Sequence, residues 1–268
     1  MLTGNATLAS NPNLPLAKID GGVSVVTSEQ LRQNDVRSVG DLQKVFPGLV
    51  IENRGNRAYA NFTVRGASSP DFYNPAVQVY IDGVPQAYSA MVQDLENVDH
   101  VEFLRGPQGT LFGRNGFAGV LNIVTRKPRE ATATVTGTAA DRRKDIGVSA
   151  TGVVIPDTLF LDLSLKAIDQ IGQIRDIARG NEPINNSRSF NGRAGMRYAP
   201  KGGPFDANVW ASHDRLNSHE ETAILDQDVP ARIYRSPLLA YPYNNIDRNI
   251  TTTGLNWNYR FGEFTLSN

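Results

Sequence analysis

Thr158-Leu159-Phe160-Leu161-Asp162-Leu163-Ser164-Leu165-Lys166 is the stretch that decides how this chain folds. Its leucines at 159, 161, 163 and 165 fall on one side of an extended strand, and Phe160, Asp162, Ser164 and Lys166 fall on the other. A helical repeat would scatter both sets. The same period of two recurs on either side. In Ala131–Ala139 small apolar residues take the odd positions and threonines the even ones. Leu255, Trp257, Tyr259 and Phe261 alternate with Gly254, Asn256, Asn258 and Arg260. The pattern predicts about seven strands of about ten residues each. They lie near 131–140, 144–154, 158–168, 187–199, 205–214, 247–261 and from 263 onward.

The connections separate two architectures that share this alternation. Ile155-Pro156-Asp157, Pro200–Pro204 and Gly262 make tight turns, whereas Asp169–Asn186 and Arg215–Ile246 are long and polar. A soluble β-sandwich gives no reason for short and long loops to alternate. An outer-membrane barrel does, with tight turns at the periplasmic edge and long loops outside the cell. No run of about 18 apolar residues marks a spanning helix. Residues 2–22 carry no apolar core behind a basic start, so a leader is expected to be missing or removed. Neither observation bears on a barrel.

Before Pro128 the texture is mixed. Val23–Thr27 is a β-branched run, and Ser28 is the expected N-cap of a short helix through Arg32. Ser38 with Asp41 three residues on predicts a second helix start, with Leu42, Val45 and Phe46 on its apolar face and Pro47-Gly48 ending it. Strand-like runs follow at Leu49–Glu52, Asn61–Arg65, Val77–Ile81, Val98–Leu104 and Gly119–Thr125. The expected fold is therefore an α+β domain followed by antiparallel transmembrane β-barrel strands. We divide the chain into an extension (1–20), the α+β domain (21–128) and barrel strands (129–268).

Composition narrows the functions. The 268 residues hold 27 basic and 27 acidic side chains, and the signs balance on both sides of Pro128. No basic platform for nucleic acid results. Cysteine is absent, which removes disulfides, thiolate metal sites and a cysteine nucleophile. No G-x-S-x-G elbow or paired-carboxylate signature appears, and the chain does not read as an enzyme. His100, His213 and His219 have no recognised ligand spacing, and the last two read as loop residues. The glycine-rich stretch Gly106–Gly116 lacks the Gly-Lys-Ser/Thr of a phosphate loop, and Pro107 removes an amide such a cradle needs. Asn11-Pro12-Asn13-Leu14 precedes the folded region and is read as chance.

Four segments carry a resemblance. Val101-Glu102-Phe103-Leu104-Arg105-Gly106-Pro107-Gln108-Gly109-Thr110-Leu111-Phe112-Gly113 and Gly119-Val120-Leu121-Asn122-Ile123-Val124-Thr125-Arg126-Lys127-Pro128 closely resemble the plug-domain hallmark of TonB-dependent outer-membrane receptors. Thr63-Val64-Arg65-Gly66 and Tyr80-Ile81-Asp82-Gly83-Val84-Pro85 match two more hallmarks in order and spacing. Ser68-Ser69 with Asp71-Phe72-Tyr73-Asn74-Pro75-Ala76-Val77, running into Asp82–Gln86, looks most like the yersiniabactin/pesticin receptor branch.

The resemblance implies a barrel of about 22 strands filled by the plug. It implies a ferric siderophore as cargo, carried as a chelate with no protein-bound cofactor or metal. TonB and its inner-membrane energising complex would be the partners, capturing an N-terminal segment by strand addition. The protein would be a monomer in outer-membrane lipid. Three loops are expected to offer cation and aromatic surface to an anionic, aryl-bearing chelate. They supply Arg57, Tyr59, Phe72, Tyr73, Tyr88 and Met91. Arg65, Glu102 and Arg105 are expected to meet the inner wall, with partners beyond residue 268. The usual TonB-binding box is not visible before Val23, and about seven strands cannot close a barrel in lipid. A piece of a longer receptor, unable to transport alone, is the resulting expectation. The alternatives are a receptor that binds ligand or bacteriocin without transport, or one for haem, vitamin B12 or a sugar. A signalling receptor would need a further folded domain ahead of Gly21.

Overall fold

The computed structural model describes residues 22–53, 58–71, 73–90, 93–95, 97–107, 116–219, 224–235 and 245–267. Among them, the N-terminal part contains β1 (Val23–Thr27), β2 (Leu49–Asn53), β3 (Ala60–Val64), β4 (Ala67–Ser68), β5 (Val77–Ile81), β6 (Val84–Pro85), β7 (Val98–Arg105) and β8 (Gly119–Thr125). One sheet runs β1-β7-β8-β5-β6, antiparallel except where β5 lies parallel to β8, and a small sheet runs β2-β3-β4. Phe46, Phe62, Phe103, Leu42 and Leu121 are fully buried between the sheets and the helical turns, the rings of Phe46 and Phe103 being 5.4 Å apart. Among the described residues, both hydrophobic core clusters lie here.

Both expected helix starts form, with two differences. Helix α1 (Ser28–Gln33) is capped by Thr27, one residue earlier than expected, because Thr27 keeps extended backbone angles while Ser28 is already helical. Thr27 N–H donates to Gln30 Oε1 at 2.9 Å. Ser38 N–H donates to Asp41 Oδ2 at 3.0 Å as foreseen, but the turn it opens, Val39–Lys44, is a 3-10 helix. Burial tends to raise the Asp41 carboxyl, yet Lys44, Ser38 and the Arg37 amide outweigh it and hold the group below its ordinary range. Thr27→Ala should cost this helix about 1 kcal/mol. Faster hydrogen exchange at the Gln30 amide, with β8 unchanged, would register that loss.

The C-terminal part adds β9 (Thr132–Ala140), β10 (Arg143–Ile155), β11 (Leu159–Gln170), β12 (Ile174–Asp176), β13 (Glu182–Ile184), β14 (Ser187–Tyr198), β15 (Phe205–His219), β16 (Ile233–Tyr234), β17 (Asn245–Phe261) and β18 (Phe264–Ser267). Seven of them form one antiparallel meander, β9-β10-β11-β14-β15-β17-β18. The short β13-β12-β16 sheet sits in the two long connections. β15 extends to His219, five residues past the expected end, and His213 and His219 are strand residues rather than loop residues. Polarity misled the reading there, because the inward positions of this sheet are themselves polar.

The faces of the meander settle its solvent. Leu161, Leu163, Leu165, Ile146, Met196, Val209 and Leu255 all lie on the outside, each more than a third exposed. Asp162, Ser164, Asn191, Arg193, Arg197, Asn208, Asp214 and Arg248 are buried on the inside. A water-soluble sandwich would have the reverse arrangement. Leucine outside and charge inside suits a sheet with lipid around it and a polar lumen within. Successive connections alternate between the two rims. The turns at 156–158, 199–204 and 262–263 share one rim, and both long connections leave from the other. The N-terminal domain lies against the inner face of this wall.

Candidate functional site

Loops of the N-terminal domain meet β17 at Arg248, near the rim of the long connections, and two of them are pinned by polar side chains. Ser69 is buried, its hydroxyl accepting from the amides of Phe62 (3.0 Å) and Ala76 (2.9 Å), which closes the base of the 69–76 loop. At that loop's tip Asp71 Oδ1 accepts from the amides of Tyr73 (2.7 Å) and Asn74 (2.9 Å). Hydrogen bonds from Asn74 and Tyr73 hold the Asp71 carboxyl below its ordinary range. Gln78 Nε2 donates to Gln86 O at 2.8 Å, and Gln93 Nε2 donates to Gln86 Oε1 at 3.1 Å, which fixes both ends of the third loop.

This scaffold brings Tyr59, Tyr73 and Tyr88 together. Tyr59 stacks on Tyr88 with centroids 6.0 Å apart and 18° between planes. Tyr73 meets Tyr88 edge-on at 5.1 Å and Tyr59 at 6.5 Å. Tyr59 projects from between the buried Ala58 and Ala60, and Tyr73 and Tyr88 are exposed. Burial raises the Tyr59 hydroxyl pKa, as do the neighbouring tyrosines, while Arg248 pulls it the other way. Arg248 comes from the wall. It pairs with Asp214 and donates to Ser89 O, beside Tyr88. The cluster therefore offers ring faces, ring edges and hydroxyls, with a guanidinium held alongside. Arg57, Phe72 and Met91 lie outside the described residues, as do Asn11–Leu14, the stretch ahead of Gly22 and Gln108–Asn115 of the glycine-rich segment.

The three residues expected to meet the wall have the following neighbours within the described plug. Glu102 is fully buried inside the N-terminal sheet, where it accepts from Asn122 Nδ2 at 2.8 Å and meets His100 Nε2 at 3.3 Å. Its neighbours on β7 and β8 satisfy it, so it has no need of a partner in the wall. Arg105 donates to Ser24 Oγ at 2.8 Å, and its guanidinium lies over the Phe103 ring. Arg65 stands exposed in the turn after β3, at φ 49°. The contacts that do cross come from residues the sequence reading left out. Arg193 Nη2 donates to Asp82 Oδ2 at 2.7 Å, Asn256 Nδ2 to Asp82 O at 2.9 Å, Ser189 Oγ to Asp94 Oδ2 at 3.3 Å, and Arg37 Nη1 to Thr138 Oγ1 at 2.8 Å. The signal was available: Arg193, Arg248 and Asn256 are polar residues at inward positions of alternating strands.

With this geometry in place, the likenesses to known proteins become specific. A family model described as the TonB-dependent receptor plug domain matches residues 15–120. The pesticin receptor of Yersinia pestis is 33% identical over 214 residues, covering 78% of this chain and 32% of the relative. The vitamin B12 transporter BtuB of Vibrio cholerae is 27% identical over 224 residues, 80% of this chain and 35% of its own length. Among solved structures, the ferric yersiniabactin uptake receptor FyuA from Yersinia pestis superposes with a TM-score of 0.85 at 29% identity, covering 92% of this chain and 40% of that one. The chain thus spans about a third of the length of the curated relatives it matches.

Proposed function

Since this chain belongs to the TonB-dependent receptors, with their plug domain and a run of their barrel strands, we propose that the protein takes up a ferric siderophore across the Gram-negative outer membrane. Members of this family are receptors and transporters of that membrane, not enzymes. The cargo and the partners are our reading. The observation that carries it is the cluster of Tyr59, Tyr73 and Tyr88, the last two held on anchored loops, near the rim of the long connections with Arg248 beside it. Such a surface suits a chelate that presents aryl groups and negative charge. Arg57, Phe72 and Met91 belong to the same proposed site by their place in the sequence.

In this reading the chelate binds from outside, between the plug tips and the barrel loops. TonB takes hold of the periplasmic end of the plug by strand addition and pulls, coupling proton-motive force to displacement. No bond in the cargo needs to be broken. Arg65 and Arg105 remain proposed as plug residues that face further wall. The test is growth on ferric yersiniabactin of iron-starved, receptor-null cells expressing the gene that encodes this chain. Tyr59→Ala with Tyr73→Ala should weaken uptake affinity about tenfold, given about 0.5–1.5 kcal/mol per aromatic pair. Unchanged affinity would remove the cluster from the site. Growth on cobalamin instead would reassign the cargo. A second reading, a docking surface for a bacteriocin, is favoured by the relative named for pesticin. Long external loops serve both roles.

A further inference from the structure

One plug carboxylate is held by the wall in a way that no other is among the described residues. Asp82 occupies the first position of the Asp82-Gly83 turn between β5 and β6, at φ 47° with Gly83 at 84°. This is the backbone that a two-residue hairpin turn demands, and Asp-Gly suits it. Its carboxylate accepts from Thr125 N–H (2.8 Å), Thr125 Oγ1 (2.7 Å) and Arg193 Nη2 (2.7 Å), while its carbonyl accepts from Asn256. Both charged side chains are nearly buried, at 8% exposure for Arg193 and 10% for Asp82.

The wall is shaped around this contact. Asp162, Gly195, Trp210 and Gly254 face one another in register across β11, β14, β15 and β17. Large and small residues alternate along that row. A β-carbon at Gly195 would stand 2.2 Å from Asp162 Oδ2, and one at Gly254 would stand 2.4 Å from the Trp210 ring. The space left by the glycines lets Trp210 lie flat beneath the Arg193 guanidinium, 4.1 Å from it, and lets Asp162 approach Arg193 Nε to 3.9 Å. Arg193 is thereby aimed at the plug before the plug is seated, which lowers the entropy lost when the contact forms. A cavity adjoins the pair, apolar at Ile81, Leu95 and Ile123 on the plug side and polar at Ser164, Asn191 and Ser212 on the wall side. Water entering along the polar side can solvate both charges as they part.

We propose that Asp82 is the positioning residue that fastens the plug to the barrel wall. Arg193, Trp210 and Asn256 form its socket, and parting Asp82 from Arg193 is the event that frees this side of the plug. The inference rests on the plug reading above, but its test needs neither cargo nor TonB. This chain has no cysteine, so Ser212→Cys in the whole protein, with every cysteine outside this chain replaced by serine, places a single thiol in the cavity between plug and wall. Its labelling by a maleimide reports separation of the two. Asp82→Asn keeps the turn, and Arg193→Met keeps the length; each should speed labelling about tenfold or more. Arg193→Lys retains the charge and should restore much of the protection. Asp82→Asn combined with Arg193→Met should be no faster than either alone, since both remove one interaction. Asn256→Ala strands no charge and should give a smaller rise, about two- to tenfold. Labelling unmoved by Asp82→Asn and by Asn256→Ala, or additive effects in the double variant, would overturn the proposal, whatever the uptake assay shows.

Discussion

Leu163→Arg is expected to stop the protein from assembling in the outer membrane. Leu163 lies near the middle of β11, 46% exposed, between outward neighbours Leu161 and Leu165 and opposite Ala150 and Ala194. Water would gain little from this face, whereas lipid accepts it. An arginine on the lipid side near the bilayer midplane costs about 2–4 kcal/mol, falling towards the interfaces. The adjacent Ser164 faces the other way and is buried. Heat-modifiable electrophoretic mobility of membrane extracts measures the folded barrel directly. Leu163→Arg should shift most of the protein to the unfolded band, and Leu163→Phe should not. Equal folding of the two would mean that this face does not meet lipid.

A comparable loss is expected inside the plug from Glu102→Ala. Glu102 has no exposed surface, and it is the shared acceptor of Asn122 and His100. Burial works against a charged imidazole at His100, but the hydrogen bonds it donates to Glu102 and Asp99 prevail and hold its pKa above the ordinary value. Removing one partner of a buried pair costs about 3–5 kcal/mol, because the other is left uncompensated. The sign of the pH dependence follows from the raised pKa. The stabilisation is fully present below the unfolded value of about 6.5 and is lost as pH rises through the folded value. Amide exchange in β7 and β8 of the whole protein, corrected for the intrinsic rate, should therefore accelerate across that window. In Glu102→Ala exchange should be fast throughout and the window shallower. An unaltered profile would show that the His100–Glu102 contact contributes nothing to the plug.

Several particulars were legible without a structure. The odd-numbered leucines of 159–165 do share a face, and the strands expected near 187–199 and 247–261 form at Ser187–Tyr198 and Asn245–Phe261. Alternation survives because a strand has a period of two whatever surrounds it. Tyr59, Tyr73 and Tyr88, three of the six residues that the resemblance singled out on the plug loops, lie in one cluster. The end of β15 was misread because polarity marks a loop only where the alternative is a greasy interior, and here the interior is polar.

Glu102, Arg65 and Arg105 show where such reasoning stops. A charge beside apolar strand residues announces that it needs a partner, and nothing local says whether the partner is two residues away or on the wall. Composition and alternation by themselves determined a mixed domain followed by lipid-facing hairpins, since period and hydrophobicity are local properties. Only the tertiary structure decided that Glu102 is answered by His100 and Asn122 while Asp82 is answered by Arg193. Those pairings join positions far apart in sequence, and they depend on register between strands and on the seat of one domain within the other.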